Sequence, residues 1–259
     1  MKCNSLYLLA GLLAITGLFS CATNNSAPSA LAGSTDSISP RSVTAERPGL
    51  GTGWGNEKVS NLTGQSFVRA SSKPAGTDVI YYNDKQGIEA MARSLTSVEG
   101  MQTAAGELVE WGVKGRLGFL ATFKEGYYSS RRLVAGESNG TYTIVVRNRS
   151  RSALEIVASV DGLDVMDGKA ASFSKRGYIV NPGTSLEIEG FRTSENSVAA
   201  FKFSSVSNSY ANIRNGDTRN VGVIGIAVFT QKDVNPWTWM PREVRQRDQA
   251  RAFAEAPSH

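Results

Sequence analysis

The chain has 259 residues, 41% of them hydrophobic, and a formal net charge of +5 distributed without a long basic run. Its two cysteines are Cys3 and Cys21, and its one histidine, His259, is the last residue. This inventory excludes a Ser-His-Asp or Cys-His catalytic arrangement and His-based zinc or iron sites. It asks for no cofactor, and without a recognition motif it argues against nucleic acid as a partner.

The first twenty residues read as an export signal. Lys2 supplies the positive start, and Leu6 to Leu18 form an apolar run of about a dozen residues, short of the roughly 20 that a permanent membrane span requires. Leu18-Phe19-Ser20-Cys21 resembles a lipobox, in which a small residue precedes the cysteine that is acylated. On this reading residues 1–20 are a lipoprotein signal peptide and Cys21 carries the lipid that holds the protein on a membrane. Ala22 at the next position is the type that accompanies delivery to the outer membrane. Cys3 leaves with the signal and Cys21 is acylated, so the mature protein has no disulfide and no free thiolate.

Ala22 to Glu46 is rich in Ser, Ala, Thr and Asn and poor in large apolar side chains, which predicts a flexible tether over residues 21–46. The folded domain is expected over 47–231, a length suited to one domain. Arg47 to Gly55 (RPGLGTGWG) reads as a loop with Trp54 plugging the core. It lacks the Lys-Ser/Thr ending of a phosphate-cradling loop. Asp84 to Ser97 places Ile88, Met91, Ala92 and Leu95 on one helical face, with Asn83 or Asp84 as N-cap. Glu107 to Trp111 has the character of a further helical turn.

From Gly115 onward the periodicity becomes that of strands. The expected strands are Arg116 to Phe123, Tyr142 to Asn148, Leu154 to Val160, Tyr178 to Val180, Ser185 to Phe191, Val198 to Ser205 and Val221 to Thr230. Turn signals separate them at Asn139-Gly140, Asp161-Gly162, Asp167-Gly168, Pro182-Gly183 and Asn215-Gly216. In Ser185 to Phe191, Leu186, Ile188 and Gly190 alternate against Glu187, Glu189 and Phe191. The last strand is almost continuously apolar, as a central strand should be, with Gly222 and Gly225 permitting close approach of the facing layer. The fold class that follows is mainly β, an antiparallel β-sandwich with one or two short helices. Residues 232–259 form a C-terminal tail, with Trp237 and Trp239 ahead of a helix-prone stretch from Arg242 to Ala256.

The strings RPGLGTGWG, SVDGLDVMDGKAASFSKRGYIVNPG, EGFRTS, AAFKFSSVSNSYA and DTRNVGVIGIAVF make most of the segment from Arg47 to Phe229 similar to a family of uncharacterised bacterial envelope lipoproteins. The resemblance implies location in the envelope and carries no activity with it.

Chemistry must then come from carboxylates, arginines and tyrosines. Asp161, Asp164 and Asp167 lie at intervals of three on a glycine-bearing connection and are candidate oxygen ligands for calcium, although the spacing is not that of an EF-hand loop. The plainer reading is that these Asp-Gly pairs make turns. The same acids with Glu187 or Glu189 would be the carboxylate pair of a polysaccharide hydrolase. Arg176, Tyr178, Arg192, Tyr210, Arg214 and Arg219 have the composition of a recognition surface. Other basic spots, such as Arg147 to Arg151, suit a solvated face or contact with anionic envelope polymers.

Two functions are therefore in contention. One is a non-catalytic binding or structural module that partners an envelope protein or glycan, with a shallow surface and dispersed carboxylates. The other is an envelope polysaccharide hydrolase, with two acids facing each other across a deep cleft.

Overall fold

The computed structural model describes residues 47–61, 64–126 and 129–237. The expected signal segment, Cys21, the tether and the stretch from Arg242 to Ala256 lie outside the described residues. In chain order the elements are β1 (Leu50–Val59), β2 (Gly76–Asn83), α1 (Lys85–Met91), β3 (Leu95–Val98), β4 (Gln102–Ala104), β5 (Val109–Gly115), β6 (Gly118–Phe119) and β7 (Thr122–Glu125). There follow β8 (Arg132–Ala135), β9 (Thr141–Asn148), β10 (Leu154–Val160), β11 (Leu163–Asp164), β12 (Tyr178–Val180), β13 (Ser185–Ile188), β14 (Gly190–Arg192), β15 (Ser197–Ser205), α2 (Tyr210–Asn215) and β16 (Val223–Thr230).

These strands build two sheets. The first runs β1-β15-β9-β5-β4, with β14 on β15, β13 on β9 and β6 on β5. The second runs β11-β10-β16-β2-β8-β7-β3, with β12 on β10. Pairing is antiparallel except between β2 and β8. Between the sheets lies a core of Ile80, Trp111, Ile144, Val146, Leu154, Ile156, Phe201, Phe203, Ile224 and Val228. The mainly β sandwich follows from alternation: Leu154, Ile156, Ala158 and Val160 of β10 all enter this core. β16 lies between β10 and β2, and its other face is buried too, since Val157, Ala227 and Phe229 form a second cluster closed by Phe67. Burial on both faces explains its continuous apolar character.

The turn signals act as their chemistry requires. Asp161 and Gly162 both have positive φ, 54° and 79°, and form the two-residue hairpin turn that joins β10 to β11. Gly216 caps α2 in the left-handed conformation, with Ser209 as N-cap.

Several expectations are corrected. The glycine-rich start is strand β1, not a loop, and Trp54 is 49% exposed, so it does not plug the core. Gly55 has to be small because a Cβ there would lie 2.5 Å from the Ala200 carbonyl oxygen on β15. The helix begins at the Asp84 cap but ends at Met91, and Leu95–Val98 pairs with β7 instead. Glu107 to Trp111 is a turn leading into β5, where pairing with β9 overrides local helical preference. Arg116 and Leu117 turn a hairpin inside one expected strand. The strand expected over Ser185 to Phe191 breaks at Glu189 because β13 pairs with β9 and β14 with β15. That break shifts the alternation and leaves Phe191 buried. A Cβ on Gly225 would meet Ser159 Oγ at 3.0 Å, which is its neighbour within the sheet and not the facing layer.

Two polar clusters tie the sheets together through the core. At the first, the buried Thr52 hydroxyl on β1 lies 2.8 Å from Tyr82 Oη on β2 and 2.6 Å from Tyr142 Oη on β9. The Asp161 carboxylate accepts from Tyr82 Oη at 2.6 Å, from the Thr52 amide at 2.8 Å and from the Gly222 amide at 2.9 Å. At the second, Trp111 Nε1 donates to Asp78 at 2.8 Å, and the buried Arg132 pairs with Asp78 and donates to the Trp111 carbonyl. Burial lowers the pKa of Arg132 even though Asp78 opposes the shift.

Burial likewise pushes the Asp161 carboxyl up from 3.8 to about 6, against the lowering effect of its hydrogen bonds. Because the folded value is the higher one, this contribution to stability is complete below about pH 4 and is lost as pH rises through about 6, on the order of 3 kcal/mol. D161N should be less stable near pH 4, by about 1–3 kcal/mol for the stranded donor, and no less stable than wild type by about pH 7, where the protonated carboxyl's advantage is gone. The gap between wild type and D161N in thermal unfolding should narrow between about pH 4 and pH 7, as the titration predicts. A gap that stays constant over that range would show that Asp161 is not the titrating group.

Candidate functional site

A cleft of about 640 Å³ opens on the side of the sandwich where the chain crosses from β12 in one sheet to β13 and β14 in the other. Its walls include Ser60, Asn61, Gln65 and Arg69 from the segment after β1, and Glu155 from β10. Arg176, Tyr178, Leu186, Glu187 and Arg192 complete it, with Met166 and Ile179.

Most of its polar groups are committed to one another. Arg69 grips the buried Glu155 with Nε at 2.6 Å and Nη2 at 3.1 Å, and also donates to the carbonyls of Phe173 and Lys175. Its guanidinium lies 3.7 Å from the centre of the Phe229 ring. The Gly177 amide donates to the same Glu155 at 2.8 Å. Gly177 must be glycine for this approach, since a Cβ would fall 2.1 Å from the Ile156 carbonyl oxygen. Arg192 donates to the Ser60 carbonyl at 2.8 Å, to Ser60 Oγ, to Tyr178 Oη and to the carbonyls of Ser194 and Glu195. Glu187 pairs with Lys114 at 3.0 Å. Arg176 is exposed on the cleft and has no side-chain partner among the described residues.

The six-residue arginine and tyrosine surface therefore divides into three parts. Arg176, Tyr178 and Arg192 share the cleft. Tyr210 and Arg214 are one turn apart on α2, where Arg214 donates to Tyr210 Oη at 2.8 Å. Arg219 is bound to Asp217 in an exposed pair that holds the Asp217 carboxyl down at about 2.

The proposed calcium ligands do not converge. Asp161 belongs to the core network, while Asp164 accepts from the Met166 amide at 2.9 Å and Asp167 pairs with Lys175. Among the described residues no three His, Cys, Asp or Glu side chains are placed to hold a metal ion. The turn reading accounts for Asp161 and Asp167 directly: a turn requires the positive φ of Asp161, and Asp167 Oδ1 accepts from the Lys169 amide. Glu189 pairs with Lys58 at 2.9 Å. Both acids that line the cleft, Glu155 and Glu187, are ion-paired.

Sequence reasoning missed Arg69, Glu155 and the wall residues Ser60, Asn61, Gly64 and Gln65. The available signal for Glu155 was an acid inside the apolar run LEIVASV. Arg69 has no periodic context, and only its packing on Phe229 and Glu155 reveals it.

Breaking the buried pair should be costly, because Arg69→Met leaves Glu155 charged and short of partners. A loss of about 3 kcal/mol in chemical denaturation is expected for R69M. The double variant R69M/E155Q should recover part of it, since the amide oxygen still accepts from Gly177. If the two changes add independently, Arg69 and Glu155 are not coupled.

No protein-family model matches the chain, and neither a curated protein nor a solved structure matches it significantly.

Proposed function

We propose that this chain is a lipid-anchored bacterial envelope protein, held on the outer membrane through Cys21, whose β-sandwich is a non-catalytic binding module. The signal-like start, the lipobox-like LFSC, the tether composition and the resemblance to envelope lipoproteins support the location. The observation that carries the binding reading is the cleft. Arg69 is bonded to Glu155, Arg192 to Ser60 and Tyr178, and Glu187 to Lys114, which ties the walls together, and the unpaired Arg176 lines the same cleft. A preorganised wall lowers the ordering cost of binding, and a free guanidinium selects an acidic group. The ligand is an acidic group of an envelope polymer lying over Met166, Ile179 and Leu186.

The hydrolase alternative rests on Asp161, Asp164 or Asp167 with Glu187 or Glu189, and of these only Glu187 lines the cleft. Glu155, the other acid there, accepts two bonds from Arg69 and one from Gly177, and Glu187 is bound to Lys114, so both carboxylates are committed to cations.

Crosslinking in intact cells, followed by identification of bound partners, tests the cleft. Arg176→Glu should abolish the principal crosslink while leaving the unfolding midpoint within about 2 °C of wild type, as for a surface substitution. An unchanged crosslinking pattern in R176E and in Y178F would sink the cleft as the site. The anchor is tested separately: Cys21→Ser should move the protein from the membrane fraction to the soluble periplasmic fraction, and continued membrane fractionation would refute lipid attachment.

A further inference from the structure

Away from the cleft, a small aromatic platform is left open at the surface. Trp54 is two residues along β1 from the buried Thr52 and shares its face of the strand. Its ring stacks at 8° to the buried Phe191, with centroids 6.3 Å apart, and packs against Tyr210 of α2 at 4.6 Å. Phe191 and Tyr210 both pack against the indole, yet Trp54 remains 49% exposed. On Tyr210, in turn, Arg214 donates to Oη at 2.8 Å, and its guanidinium carbon lies 5.7 Å from the centre of that ring. One of its five donors is used there, which leaves the others at the rim.

We propose that Trp54, with Tyr210 beneath it and Arg214 at its edge, is a stacking site for a pyranose ring of a neutral oligosaccharide. The reasoning is by matching of chemistry. A pyranose presents a face of C–H groups that suits an aromatic ring and a perimeter of hydroxyls that suits lateral donors, so it uses both the indole and the guanidinium. An organic cation would be attracted by the rings but repelled by Arg214. A simple anion would use Arg214 and leave the indole unused. A stable protein interface buries about 800 Å² on each partner, far more than one indole face supplies. Because Trp54 is braced by Phe191 and Tyr210, little side-chain entropy is lost on binding. The site does not depend on the cleft or on the lipid anchor.

The test titrates cellohexaose and chitohexaose into the purified full chain by calorimetry, with tryptophan fluorescence as a second readout. Saturable binding of at least one hexasaccharide is expected. Trp54→Ala should weaken it about tenfold or more, Trp54→Phe should retain affinity within about threefold, and Arg214→Ala should weaken it about three- to tenfold. R176E should leave it unchanged, which separates this site from the cleft. Absence of saturable heat with both hexasaccharides would overturn the proposal. So would unchanged affinity in both W54A and R214A. Should W54A instead abolish self-association in sedimentation, the platform is a contact between copies of the chain, and the proposal is equally overturned. The W54F and R214A variants keep the result readable if W54A is unfolded.

Discussion

A single buried carboxylate constrains this domain more than any other group. Asp161 sits in the left-handed turn between β10 and β11 and collects hydrogen bonds from Tyr82, from the Thr52 amide on β1 and from the Gly222 amide ahead of β16. Thr52 in turn bridges Tyr82 and Tyr142, so the network reaches both sheets. A buried polar group has to be matched in this way or it costs the full penalty of desolvation. The same bonds restrict how the sheets can sit: a shift of register at β1 would remove all three Thr52 contacts and take one of its donors from Asp161. Three segments far apart in sequence, around Thr52, Asp161 and Gly222, meet at this one point.

The surface repeats the principle at lower burial. Arg69 with Glu155, and Arg192 with Tyr178 and Ser60, fasten irregular segments onto the strands and shape a cleft between them. In both pairs the arginine serves the architecture of the cleft walls, and Arg176 is left without a side-chain partner among the described residues. Trp54 follows a related logic, since it is held by aromatic contacts and still half exposed. A rigid frame with a few uncommitted groups is well suited to binding, whereas acid–base chemistry needs carboxylates whose protons can move.

Legibility in the sequence depended on whether a signal was local. Asp161-Gly162, Pro182-Gly183 and Asn215-Gly216 are turns because Asp, Asn and Gly tolerate positive φ, a property of the residue itself. β10, β12 and β16 were legible from apolar pattern and β-branching. β1 was hidden because glycines weaken a strand in isolation, yet here they allow close contact with Ser204, Ser209 and Ala200. β5 was hidden because Trp111 and its neighbours have no clear period until β9 lies alongside. Of the recognition surface, the cleft members Arg176, Tyr178 and Arg192 were found by composition, but their grouping apart from Tyr210, Arg214 and Arg219 was not.

By itself, then, the sequence determined the mainly β class, the turns, most of the central strands and the lack of histidine and thiol chemistry in the folded domain. These follow from residue type and short-range periodicity. The tertiary structure alone decided that Asp161 is a core tie and not a metal ligand, that Glu155 is neutralised by an arginine 86 residues away, and that Arg176 and the outer side of Trp54 remain uncommitted. Whether a charge or a ring is spent or free depends on which distant groups reach it, and that is settled only when the sheets pack.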